Sequence, residues 1–313
     1  MNSIVLTIIQ AVLVLVIAPF TIGFIRWCKA RFQTRRGPSP FLPYWSMATL
    51  LKKEMTITRH SSWVFHLVPY LVVGSTITLA CIIPTFAIGG ALGGYSHFML
   101  VAAILAIGSI GLVLGGMDVA STFGSMGSSR EMTLASLVEP ILLTVLITLG
   151  YRAHSWSLDG MVAAYQTLPW YVASPALVVS ILALILVILA ENARYPVDNP
   201  ATHLELTMVH EAMILEYSGP YLAMVEYASS LKLTLLALFL MNVVFPIGLV
   251  SVGSSALGFL TGLLAMILKV VIAGAGVAFL ESVIVKMRFY RMQEYMMTAY
   301  LVALVGFFLA IVS

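Results

Sequence analysis

Along this chain the apolar residues are not interleaved with polar ones at the spacing of a surface helix or strand. They come in unbroken blocks, at Ile4–Trp27, Trp63–Ala87, His97–Met117, Thr133–Tyr151, Tyr171–Ala190, Leu231–Val250, Ala256–Val285 and Glu294–Ile311. About 20 residues of α-helix cross a hydrocarbon core of about 30 Å, and each block is of that order. The pattern predicts eight spanning helices, with both termini on one side. Between the first two blocks, FLPYWSMATLLKKE from Phe41 to Glu54 is too short to span. Phe41, Tyr44, Trp45, Met47, Ala48 and Leu51 give it an apolar face, as expected of an amphipathic helix lying in the membrane interface.

Composition strengthens this reading. Of 313 residues, 61% are hydrophobic and 9% charged, where a soluble domain has about 25% charged. Lipid is the solvent that stabilises such a chain, and lipid requires every backbone polar group to be satisfied within helices or a closed barrel. Long apolar runs select helices. The expected fold class is an all-α integral membrane protein, a single polytopic domain over residues 1–313, with a structured cytoplasmic loop between the fifth and sixth helices. No repeat and no low-complexity linker divides it.

The distribution of charge sets the expected orientation, because Lys and Arg accumulate on the cytoplasmic face. Arg26 to Arg59, then Arg130, Arg194 and the run Lys286, Arg288 and Arg291 follow the first, third, fifth and seventh blocks; the opposite face holds Arg152. Both termini are therefore expected outside a bacterial or archaeal cytoplasmic (inner) membrane. The first block lacks the preceding basic residues of a secretory signal and is expected to stay in place. The net excess of three basic residues does not point to nucleic acid. Cys28 and Cys81 suggest neither a disulfide framework nor a metal knuckle.

Charges inside the blocks need a reason, since a central one costs about 2.5–3.5 kcal/mol on insertion scales. Glu139 lies in the fourth block, Lys269 and Glu281 in the seventh, and Glu191 at the inner end of the fifth. Glu139 and Lys269 fit either a structural pair or a proton path. Lys269 and Glu281 are twelve residues apart, about 18 Å along one helix, too far to pair and suited to marking two depths.

The segment from Glu191 to Tyr227 carries six carboxylates, Glu191, Asp198, Glu205, Glu211, Glu216 and Glu226. Pro196 and Pro200 are expected to end the fifth helix, and a new helix is expected near Ala201. On it Glu205 and Glu216 share nearly one angle, while Glu211 lies closer to His203, Thr207 and His210. Gly219 and Pro220 then break the helix before Glu226. A solvated acidic face is the plain alternative. The segment is too apolar for that, with Leu204, Leu206, Met208, Val209, Met213, Ile214 and Leu215 interleaved, and an acidic funnel at the membrane surface fits better. Two histidines at i and i+7 fall short of a metal site, and no nucleophile with a base, phosphate loop or cysteine cluster is present.

Several of these motifs, in order, resemble the family of respiratory complex I subunit 1 (NuoH). They are ARFQTRRGP from Ala30, GMDVASTFGSMGSSREMTLASLVEP from Gly116, ENARYPVD from Glu191, LEYSG from Leu215, and Lys269 with Glu281 in the seventh block. The stretch from Asp118 through SREM to LVEP is similar to the branch found in membrane-bound nickel-iron hydrogenases, formate hydrogenlyase subunit 4 and its hydrogenase-4 counterpart. The resemblance implies a non-catalytic membrane subunit of an oxidoreductase complex, with no redox centre of its own. Such a subunit docks a peripheral electron-transfer arm and couples its chemistry to ion translocation.

By the same resemblance the partners are hydrogenase-like large and small subunits, a ferredoxin-like subunit and antiporter-like membrane subunits. Iron-sulfur clusters and a nickel-iron site belong to those partners. The implied proton path is Glu139, Glu191, Asp198, Glu205, Glu211, Glu216, Glu226, Lys269 and Glu281. Arg194 is the implied charge partner, and Arg31, Arg35, Arg36 and Arg130 the implied docking residues. The loop reading RRGPSPFLPYW departs from quinone-reducing members, which argues against a quinone site. A quinone-site subunit of an NADH dehydrogenase is the first competing reading and a self-sufficient ion-coupled transporter the second. A transporter would place its substrate between broken helices at mid-membrane.

Overall fold

The computed structural model describes residues 2–167, 174–198, 209–251, 253–284 and 289–312, omitting the side chains of residues 289 and 290. Helix α1 spans Ser3–Phe32. Its outward positions Ile4, Ile8, Val12 and Val16 repeat every four residues and are 50–63% exposed, while Gln10 and Thr21 are buried. Apolar outside and polar inside reverses the arrangement of a soluble helix. It is what a helix adopts when lipid is the solvent.

The remaining elements are α2 (Leu42–Lys52), α3 (Trp63–Ile82), β1 (Ala87–Ile88), α4 (Phe98–Asp118), α5 (Thr122–Ala153), α6 (Leu158–Thr167) and α7 (Pro175–Glu191). They are followed by α8 (His210–Ile214), α9 (Gly219–Val244), β2 (Val250–Ser251), α10 (Ala256–Val283) and α11 (Phe289–Val312). Seven of the described helices, α1, α3, α4, α5, α9, α10 and α11, are long and apolar enough to cross a membrane. The predicted fifth span corresponds to α7, which at 17 residues is shorter.

Two predicted boundaries move. The apolar pattern starts the fourth span at Thr133, but α5 begins at Thr122, where Ser121 Oγ accepts from the Gly124 N–H at 3.1 Å. The polar stretch TFGSMGSSREM is therefore helix, and its small residues let other backbones approach. A Cβ on Gly127 would lie 2.8 Å from Ala212 Cβ and 2.9 Å from the Val209 carbonyl oxygen. Ser128 Oγ donates to the Val113 carbonyl at 3.0 Å. The pattern starts the sixth span at Leu231, but α9 begins at Gly219 with Pro220 in its first turn, a position where a missing N–H costs nothing.

Helix α9 is the central post. It packs against α1, α2, α3, α7 and α10, while α11 packs on α7 and α5, and α3 and α4 pack on each other. At the outer end, the unwound chain after α3 pairs in parallel with the chain after α9, Ala87 opposite Val250 and Ile88 opposite Ser251. Gln10 holds the same segment, donating to the Ile83 carbonyl at 2.7 Å and accepting from the Ala87 N–H at 3.2 Å. At the inner end, Ser218 at the head of α9 exchanges two hydrogen bonds with the Thr56 backbone, and Asp118 at the foot of α4 accepts from the Ser62 N–H.

Candidate functional site

The site begins with how α7 stops. Prolines are expected to end it, yet the helix ends at Glu191, ahead of both. Ala193 takes a left-handed conformation with φ +47°, its N–H bonds to the Ala190 carbonyl, and the Arg194 N–H bonds to the Leu189 carbonyl at 2.8 Å. These are the two bonds of a Schellman ending, with alanine where glycine is usual. This ending leaves Glu191 in the last turn, where the helix dipole disfavours a carboxylate. Lys232 of α9 offsets that, its Nζ lying 2.6 Å from Glu191 Oε1.

Asp198 is buried and acts locally. Its Oδ2 accepts the backbone N–H groups of Val209 at 3.1 Å and His210 at 3.3 Å, fixing the start of α8. The five-residue α8 ends at Ile214. Tyr217 then stacks on Phe65 with ring centroids 4.2 Å apart, which turns the chain toward α9.

Two adjoining cavities occupy the inner end. The larger, about 90 Å³, is lined by Arg26 from α1, Pro43, Ser46 and Met47 from α2, Arg194 and Asp198 after α7, Glu211 from α8 and Glu226 from α9. The smaller, about 50 Å³, reaches further along the bundle. It is bounded by Thr76 of α3, Gly108 of α4, Glu131 of α5, Glu191 and Lys232. Each is large enough for water, since a single water needs about 10–15 Å³ measured this way. Burial and the Lys232 charge push the His210 imidazole, which borders both, down to about 4, so it is neutral at neutral pH.

The predicted acids therefore divide. Glu211 and Glu226 share the larger cavity with Asp198, and Glu191 faces the smaller. Glu216 lies beyond the end of α8 and borders neither cavity. The helical phase that pairs it with Glu205 ends before it, and Glu205 itself lies outside the described residues. Glu139 is eight residues along α5 from Glu131, half-buried and within electrostatic reach of Glu191.

The pair of Glu139 with Lys269 is not formed. Lys269 Nζ instead donates to Asn242 Oδ1 at 2.8 Å, and Asn242 Nδ2 donates to the carbonyls of Pro84 and Thr85. Glu281 is bridged by two cations, Lys29 Nζ at 3.0 Å and Arg194 NH1 at 3.1 Å. Arg194 thus binds an acid of α10, and the two cations tie α1, α10 and the chain after α7 together. Arg31, Arg35 and Arg36 are exposed at the inner end of α1, and Arg130 is partly buried on α5.

Three participants escape a reading of the sequence. Glu131 falls in a stretch that hydropathy scores as loop, and the signal that would find it is the capping Ser121. Lys232 is the lone charge in its apolar block. Lys29 counts there only toward orientation.

The helices and the inner acidic cavities define a multi-pass membrane subunit of an oxidoreductase complex, and comparison with known proteins agrees. The family model described as NADH dehydrogenase matches residues 4–312, and the chain belongs to that family. It is 28% identical over 286 residues to formate hydrogenlyase subunit 4 of Escherichia coli (strain K12), covering 91% of this chain and 92% of the relative. With hydrogenase-4 component C of the same organism it shares 30% identity over 281 residues, 90% of this chain and 87% of the relative. The NuoH-type membrane subunit of NADH-quinone oxidoreductase from Rickettsia prowazekii (strain Madrid E) is 26% identical over 241 residues, 72% of this chain and 70% of the relative. The fold matches a chain of the membrane-bound sulfane sulfur reductase, an archaeal respiratory membrane complex, with a TM-score of 0.83, 19% identity and coverage of 97% and 99%.

Proposed function

We propose that this chain is the membrane-anchor and proton-path subunit of a complex-I-like, membrane-bound hydrogenase or formate hydrogenlyase type of complex. It docks a peripheral electron-transfer arm on its inner face and couples the arm's redox chemistry to ion translocation. The observation that carries the reading is the pair of adjoining, water-sized cavities whose walls bring Asp198, Glu211 and Glu226 next to Glu191 and Glu131. Carboxylates withdrawn from bulk water and set beside small wet spaces are what a proton route through a bundle requires.

The route runs from Glu211, Glu226 and Asp198 through the smaller cavity to Glu191 and Glu131, then toward Glu139. Glu205 and Glu216 would act at its entrance. Lys269 and Glu281 set the field along the bundle, and Arg194 places Glu281. The exposed Arg31, Arg35 and Arg36, with Arg130 nearby, would hold acidic surfaces of the arm. That arm would comprise hydrogenase-like large and small subunits and a ferredoxin-like subunit carrying the iron-sulfur clusters and any nickel-iron site. Antiporter-like subunits would receive the signal within the membrane. This chain would bind no cofactor. Both termini would face outward across a bacterial or archaeal inner membrane.

The test is Glu191→Gln and Glu139→Gln in the assembled complex, with protons moved per electron pair measured in sealed vesicles. A fall of at least several-fold with assembly intact is expected. Unchanged stoichiometry in both variants removes these acids from the path.

A further inference from the structure

The two cavities meet at a wall of three side chains, Asn192, His210 and Ser229, which border both spaces. Each comes from a different stretch of chain, and each is uncharged while the ionisable residues lie to either side. On α9, Glu226, Ser229 and Lys232 are spaced by three, so they form one stripe down the helix at about 4.5 Å per step. Glu226 faces the larger space, Ser229 both, and Lys232 the smaller. After α7 the order is the same, with Glu191 in the smaller space, Asn192 in the wall, and Arg194 and Asp198 in the larger.

Of the three wall residues, only an imidazole can accept a proton at one nitrogen and release one from the other. His210 is fixed in place by the Asp198 carboxylate on its backbone N–H and by α8 pressing on Gly127. Asn192 donates from Nδ2 to the Ile188 carbonyl at 2.8 Å, and its buried Oδ1 has no hydrogen-bond donor among the described residues. A buried amide oxygen left empty is costly, unless a water or a passing N–H fills it.

We propose that His210 is the relay between the two cavities, taking a proton from water in the larger one and releasing one into the smaller, with Asn192 Oδ1 as the acceptor that receives the transferring N–H or its bridging water. The inference rests on the proton-path reading above. The bookkeeping is closed: one proton enters at one ring nitrogen, one leaves from the other, and the ring turns over to restore its starting tautomer. The charged groups around the imidazole are Lys232 and Glu226 on α9, Glu131 on α5, Glu191, Arg194 and Asp198 around the end of α7, and Glu211 beside it. Burial and Lys232 keep the imidazolium short-lived, as suits a relay and not a store.

The experiment uses the assembled complex in sealed vesicles, with an internal pH dye and free imidazole as the rescuing probe. His210→Ala is expected to lower proton transfer per electron pair at least tenfold, and imidazole to restore it in that variant but not in Glu191→Gln. His210→Gln keeps the bulk and hydrogen bonding without the relay, and is expected to fail as His210→Ala does, so it serves if the alanine variant does not assemble. Asn192→Leu is expected to slow transfer. Normal transfer in His210→Gln beside a defective Glu191→Gln overturns the relay and leaves the path standing. Loss in His210→Ala that imidazole does not restore assigns His210 a structural role and also overturns it. Normal transfer in both His210→Gln and Glu191→Gln overturns path and relay together.

Discussion

Replacing Glu281 by glutamine tests the electrostatic account of the bundle most directly. Its carboxylate lies 3.0 Å from Lys29 Nζ and 3.1 Å from Arg194 NH1, so it is the anion that lets two cations from different parts of the chain share one place. Removing one partner of a buried pair costs about 3–5 kcal/mol, because the charge left behind is desolvated and uncompensated. Arg194 is 7% exposed and has nowhere to go. Lys29 keeps 21% of its side chain exposed and swings toward water, which holds the loss near the lower end. The expected cost of Glu281→Gln is about 3 kcal/mol, or roughly 150-fold in the folded-to-unfolded ratio, read from unfolding of the purified protein in mixed micelles.

The cycle supplies the check. Arg194→Met leaves Glu281 with Lys29 and is expected to cost less than Glu281→Gln. In the double variant the stranded arginine is gone, so the combined loss is expected to fall short of the sum of the two single losses by more than about 0.5 kcal/mol, the scatter seen for independent sites. Additive losses, or a Glu281→Gln protein as stable as the parent, would refute the claim that the two cations depend on this carboxylate.

Lys269→Met removes a buried charge whose intrinsic cost of about 2.5–3.5 kcal/mol is met by a charge-assisted bond to Asn242 worth about 1.5–3 kcal/mol. Stability is expected to stay level or rise by about 1 kcal/mol while proton transfer falls, and a large destabilisation in the same unfolding assay would count against this balance. Gly127→Val pushes a side chain into Ala212 and the Val209 carbonyl, and is expected to cost about 1–3 kcal/mol by overpacking, with proton transfer impaired because α8 carries His210 and Glu211. Arg36→Glu reverses an exposed charge and is expected to leave the melting of this chain unchanged while the peripheral arm dissociates at moderate salt; a complex that purifies whole would remove Arg36 from the docking surface.

Hydrophobic blocks reveal the membrane class and most helices, because about 20 apolar residues in a row have few other readings. What they conceal is polar helix. α5 extends eleven residues before its apolar block, since Gly124, Gly127 and Ser128 bury backbone against neighbours, and a hydropathy pattern scores such residues as loop. Glu131 is lost with that stretch. The cluster of acids between Glu191 and Tyr227 is legible from composition, but its partition is not. Helical phase places Glu216 on the helix carrying Glu205, whereas Tyr217 stacking on Phe65 ends α8 first. Charge partners are the least legible, because Glu281 meets Lys29 across 252 residues and no spacing rule reaches that far.

Charge balance among the described residues separates the two buried clusters by task. Around Glu281 there are two cations for one carboxylate, so an added proton would only enlarge the positive excess there. In the smaller cavity Glu131 and Glu191 face the single cation Lys232, and one proton brings that group to neutrality. Electrostatic energies at these separations are several kcal/mol at the effective dielectric of about 20 that describes protein interiors, so this difference in count outweighs local hydrogen bonding in deciding where a proton rests. The first cluster then fixes helices and the second exchanges protons. A redox event in a docked arm reaches the second cluster through the larger cavity, where Glu211 and Glu226 stand between the inner face and the wall that His210 completes.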